Sequence, residues 1–136
     1  MKKLFLDTNI IIDIIVRKYD DNIGTQLLVE AEKRKMTFYI SFLTVANFAY
    51  IHRKMTMNEL TNHIRLICET FHIIPNDKTQ LLQAVSLNPK DYEDAVQYAT
   101  AVSAGCDCIL TRNAKDFPFA TIPVLSPQEF LATLTD

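Results

Sequence analysis

Four stretches of this sequence carry groups that could do chemistry, and each sits where a strand ends or a helix opens. LFLDTN at 4–9 runs from apolar residues into Asp7, Thr8 and Asn9. SFLTVAN at 41–47 offers Ser41 and Thr44, with Asn47 about two helical turns in. DYEDA at 91–95 supplies Asp91, Glu93 and Asp94, and TRNAKDF at 111–117 supplies Thr111, Arg112, Asn113, Lys115 and Asp116. In an open parallel sheet, ligands bind beyond the carboxyl ends of the strands, so these residues are candidates for one common site.

Carboxylates at such an edge have two readings. Asp7 and Asp91 can each cap the helix that follows, and Asp116 can end a turn, because Asp is among the commonest capping residues. Together they can also hold a hard divalent cation such as Mg²⁺ or Mn²⁺, which favours carboxylate oxygens and relieves the repulsion between grouped negative charges. A cation so held would lower the pKa of a bound water and stabilise charge on a phosphate, which suits phosphodiester hydrolysis without a side-chain nucleophile. No GxSxG elbow, GxxxxGKS phosphate loop or HExxH pair occurs. The three histidines are dispersed and the three cysteines have no framework spacing, which argues against zinc and predicts reduced thiols.

The elements that position these groups alternate along the chain. Residues 4–6, 37–41, 71–75, 108–111 and 122–126 are short, apolar and rich in Ile, Phe and Tyr, and read as strands. Residues 22–36, 56–69, 77–87 and 91–104 read as helices from their apolar spacing, the last two opening on an acidic residue. The alternation predicts an α/β fold, a three-layer α/β/α sandwich around a central, mainly parallel sheet of about five strands. With 136 residues and no internal repeat or linker, a single domain over 1–136 is expected. No apolar run approaches the roughly 18 residues that span a bilayer, and no secretory leader is legible, so a cytoplasmic protein is expected.

A formal net charge of −2 does not suggest a general nucleic-acid coat. Basic clusters at Lys2 and Lys3, Arg17 and Lys18, 33–35 and 52–54 read as solvated helix ends, whereas Arg112 and Lys115 flank the candidate site and could bind phosphate.

LFLDTNIIID, YISFLTVANFAYI and DYEDAVQYATAVSAGCDCILTRNAKDF, in this order, resemble the PIN domain family over essentially the whole chain. The similarity is greatest to the small bacterial VapC-type toxins of toxin–antitoxin pairs. The resemblance implies an α/β sandwich and a Mg²⁺- or Mn²⁺-dependent ribonuclease. It matches Asp7, Asp94 and Asp116 to metal-binding, catalytic acids, and Asn9, Thr111 and Asn113 to supporting polar positions. It also implies an RNA substrate, a small antitoxin and a homodimer; Phe42, Phe48, Tyr50 and Ile51 exceed what one helix face needs and could form a docking surface or pack in the core.

One position departs from the pattern. Where relatives carry a Glu on the helix after the second strand, this chain has Asn47, which retains an oxygen but lacks the charge. Three matched acids then predict a single metal of reduced affinity. Asp91 or Glu93 could compensate in part, with Glu93 expected to point away because adjacent helical residues do not share a face. Asp13 is expected to face solvent or Arg17 at i+4. Two functions follow as alternatives: an active ribonuclease, or a catalytically weakened module that binds RNA or protein.

Overall fold

The computed structural model describes residues 2–17 and 23–134; Lys18 and Asn22, placed above on helix ends, lie outside them. Five strands, β1 (Lys3–Leu6), β2 (Thr37–Ser41), β3 (His72–Ile74), β4 (Cys108–Leu110) and β5 (Val124–Leu125), form one sheet in the order β3-β2-β1-β4-β5. Every neighbouring pair is parallel. The helices are α1 (Thr8–Ile15), α2 (Ile23–Arg34), α3 (Phe42–Ile51), α4 (Met57–Thr70), α5 (Lys78–Ser86), α6 (Tyr92–Ser103) and α7 (Pro127–Ala132).

The alternation of β1 divides the core into two layers, as a period of two requires. Leu4 and Leu6 pack on one face with Ile11, Leu27, Phe48, Ile67 and Phe130, contributed by α1, α2, α3, α4 and α7. Phe5 turns to the other face with Tyr98 and Ala101 of α6, Ile109 and Phe117. The strands are buried because both faces are covered.

Helix α1 was legible only as an apolar run. Seven of its eight residues, the five isoleucines and Asp13 among them, are buried, so little of it faces water. Gly24 lets α2 lie against it: a Cβ there would stand 3.0 Å from the Asp13 carbonyl oxygen and from the Ile14 Cα. The C-terminal stretch holds α7, which has a capping box between Ser126 and Glu129 and a proline in its first turn.

The chain steps from β1 to β2 to β3 on one side, then crosses back to β4 on the other side of β1. The connections after β1 and β4 therefore diverge, and the crevice between their carboxyl ends is the topological switch point of the sheet.

Candidate active site

A single residue, Asp7, separates β1 from α1. Its extended backbone (φ −71°, ψ 159°) makes it the N-cap, and the Thr8 N–H donates to Oδ1 at 2.8 Å. Across the switch point, the Thr111 hydroxyl just beyond β4 donates to Oδ2 at 2.8 Å, and the Asp7 N–H donates to the Leu110 carbonyl at 3.0 Å. The Asn113 N–H donates in turn to the Thr111 hydroxyl oxygen at 3.1 Å. Asp7 is thus a cap and also a carboxylate held from two sides, each oxygen retaining a free lone pair.

Helix α3 follows β2 without a loop, because Ser41 both ends the strand and caps the helix through the Thr44 N–H at 3.1 Å. Ser41 also donates to Gln97 Oε1 at 2.6 Å, and Gln97 Nε2 donates to the Thr44 hydroxyl at 2.7 Å. All three side chains are fully buried, so this network joins α3 to α6 in one register. Sequence reading missed it because its members lie more than fifty positions apart (|i−j| of 56 and 53) and polar residues carry no periodic signal.

A cavity of about 430 Å³ opens where these elements meet, lined by Asp7, Thr8, Asn9, Asn47, Tyr50, Ile51, Asp91, Glu93, Asp94 and Asp116. Five of these are carboxylates and none is a Lys, Arg or His. Asp91 caps α6 by accepting from the Asp94 N–H at 3.2 Å. Burial pushes the Asp7 carboxyl above its ordinary range, against the hydrogen bonds from Thr111 and Thr8, and the Asp116 charge adds to the rise. Burial, followed by the charges of Asp91, Asp116, Asp7 and Glu93, pushes Asp94 up to about 7. Glu93 is raised by burial, then by Asp91 and Asp7.

The donor set suits a hard divalent cation: all oxygen, mutually repelling and without a basic counterion in the wall. Thr8 adds a buried hydroxyl that has no hydrogen-bond partner among the described residues. Among those residues, no three His, Cys, Asp or Glu side chains stand close enough to clasp an ion as they are. The carboxylates line the walls, an arrangement that like charges favour in the absence of a counterion.

A second cavity, of about 500 Å³, shares Asp91, Asp94 and Asp116 with the first and adds Lys90 and Lys115. Lys115 therefore flanks the carboxylates. Arg112 does something else: its guanidinium pairs with the Asp13 carboxylate, which Arg17 also approaches at 3.8 Å. Asp13 does not face solvent. It is 7% exposed, and the expected Arg17 contact is the longer of its two partnerships. Asn113 is exposed and joins the site through its backbone.

Glu93 departs from its expected orientation. It does not point away but lines the carboxylate cavity, where Asn47 Nδ2 donates to its Oε1 at 2.8 Å. Its long side chain, in the first turn of α6, reaches back to α3 although its neighbour Asp94 lines the same wall.

A carboxyl whose folded pKa rises from 3.8 to about 7 favours the fold fully below pH 3.8, and that contribution is lost as pH rises through about 7. Asp94→Asn is therefore expected to melt above the metal-free wild type at about pH 8 and level with it below about pH 4. Thermal melts in chelator-treated buffer check this, and a constant difference across pH would contradict it.

Fold and site define an open parallel α/β protein with an acidic, cation-suited cavity at the switch point of its sheet. The chain belongs to the PIN domain family, whose sequence pattern matches residues 3–115. It is 30% identical over 135 residues to Ribonuclease VapC1 of Aquifex aeolicus (strain VF5), covering 95% of this chain and 93% of that protein. Among solved structures, a toxin–antitoxin complex from Klebsiella pneumoniae matches with 29% identity and a TM-score of 0.67, over 91% of this chain and 97% of the other. VapBC-1 from nontypeable Haemophilus influenzae shares the fold, with a TM-score of 0.72 at 17% identity, over 93% and 98% of the two chains. Among the described residues, no helix is long and apolar enough to cross a membrane.

Proposed function

We propose that the protein is a metal-dependent ribonuclease of the cytoplasm and the toxin of a toxin–antitoxin pair, with Asp7, Asp94 and Asp116 as the ligands of Mg²⁺ or Mn²⁺. The observation that carries this reading is the wall of five carboxylates without a basic side chain at the switch point. The ion, when bound, supplies an acidified water and offsets charge on the phosphate.

The chain's own residues do the positioning. Asp7 is oriented in advance by Thr8 and Thr111, so it needs no rearrangement to present its free lone pairs. Asp94 and Asp116 line the same cavity from α6 and the turn after β4, and would hold the ion together with Asp7. Lys90 and Lys115, in the adjoining cavity, receive the RNA phosphates. Arg112 is held by Asp13, and its role is to fix the loop carrying Asp116.

Purified chain is expected to cleave mixed RNA with Mg²⁺ or Mn²⁺ and to stop on chelation; cleavage indifferent to chelation would overturn the reading. The second reading, a weakened module, is favoured by the amide at position 47. It predicts RNA binding without cleavage in the same assay.

Phe48 is fully buried in the core, whereas Phe42, Tyr50 and Ile51 are 61%, 66% and 51% exposed. These three offer an apolar surface on α3 for an antitoxin and for a second copy of the chain. Light scattering is expected to give the dimer mass, and a monomer mass at high concentration would remove the dimer.

A further inference from the structure

The substitution at position 47 looks like a lost ligand as long as α3 is considered alone. In three dimensions the Asn47 amide nitrogen donates to Glu93 Oε1 at 2.8 Å, and both residues line the carboxylate cavity. The contact is one of two rungs across the same helix pair. Thr44, three residues before Asn47, meets Gln97, four residues after Glu93, at 2.7 Å. The Ser41 hydroxyl, donating to Gln97 Oε1 at 2.6 Å, fixes which end of the Gln97 amide meets Thr44. This buried rung sets the register and spacing of α3 against α6, so the next rung, Asn47 to Glu93, is specified and not incidental.

We propose that Glu93 is the fourth carboxylate of the cation site and that Asn47 is the residue that positions it, so that the acid expected on α3 is carried on α6. The inference rests on the metal-dependent reading above and names a residue that reading does not use. An amide suits this place because it donates to the carboxylate it orients. A carboxylate at 47 would face Glu93 with no donor between them. Glu93 shares its wall with Asp7, Asp94, Asp116 and Thr8, whose buried hydroxyl lacks a partner among the described residues. Exchanging the acid and the amide between the helices leaves the number of charges at the site unchanged.

The test is titration of the metal-free full-length chain with Mn²⁺, followed by calorimetry and by the electron spin resonance of the free ion. Glu93→Gln preserves the bond from Asn47, because its amide oxygen accepts as the carboxylate did, and removes only the charge. Mn²⁺ affinity is expected to fall about tenfold or more. The reciprocal pair Asn47→Glu with Glu93→Gln reverses the same hydrogen bond and is expected to recover affinity to within about threefold of wild type. Asn47→Ala should weaken binding when Glu93 is present and change nothing in the Glu93→Gln background; a purely structural role would persist in both. Circular dichroism and melting of each variant separate binding loss from unfolding.

Wild-type affinity in Glu93→Gln, alongside lost binding in Asp7→Asn, would overturn this inference and leave the metal-dependent reading standing. Wild-type affinity in Asp7→Asn would overturn that reading itself. A double exchange as weak as Glu93→Gln alone would overturn the exchange between helices.

Discussion

Asp7→Asn is expected to lower RNA cleavage by more than about a hundredfold, because even partners that only orient a metal ligand are worth roughly 10- to 100-fold. The fold should survive the change. Asparagine keeps an oxygen to accept from the Thr8 N–H, and the Thr111 hydroxyl can rotate to accept from the new amide. The variant should also be more stable than the metal-free wild type near neutral pH. Burial raises the Asp7 carboxyl above its ordinary range, so its charge opposes folding once the pH exceeds the raised value, and asparagine removes that charge. A more stable protein with almost no activity is the signature of a site held against its own repulsion. Cleavage assays and thermal melts on the same preparations check it. Equal cleavage by both proteins would identify a contaminating nuclease, and a melting point below wild type would refute the assigned sign.

Arg112→Ala is expected to cost about 2 kcal/mol of stability, between the ~1 kcal/mol of an exposed pair and the ~3 kcal/mol of a buried one, because only Asp13 of the two is buried. Asp13 is 7% exposed, so loss of the guanidinium leaves its charge only partly hydrated. Arg17, at 3.8 Å, compensates only in part, which keeps the cost from being larger. The reverse change, Asp13→Asn, should cost less, since half of Arg112 already lies in solvent (side chain 45% exposed). Lys115→Ala, in the cavity beside the carboxylates, should leave stability within about 0.5 kcal/mol and raise KM. Urea denaturation and steady-state kinetics distinguish these cases. An Arg112→Ala protein as stable as wild type would return that arginine to the phosphate-binding role its sequence position implied.

These two residues illustrate how far a linear reading extends. Asp7, Asp94 and Asp116 were legible as one site because each follows or opens an element whose period and ends are local properties, and parallel sheets collect such ends on one edge. Asp91 and Asp7 were equally legible as caps, and both readings hold: Asp7 caps α1 while lining the cavity. Arg112 and Glu93 were misjudged in opposite directions. Each has a flexible side chain whose partner lies far away in the chain, at a separation of 99 positions for Arg112 and Asp13 and 46 for Asn47 and Glu93. Helical face counting places a Cα well but cannot place the end of a long side chain in the first turn of a helix.

The sequence by itself determined a mainly parallel sheet of about five strands, most of the helices, and the sheet edge at which the acids collect. The physical reason is that hydrophobic periodicity and capping act over a few residues. It also determined family membership, through motifs whose spacing survives in the chain. The tertiary structure alone decided which groups serve which purpose: Arg112 is held by a buried acid, and the amide at 47 orients Glu93 across the α3–α6 interface. Those outcomes depend on desolvation and on charges brought together by packing, and both exist only once distant segments share one interior.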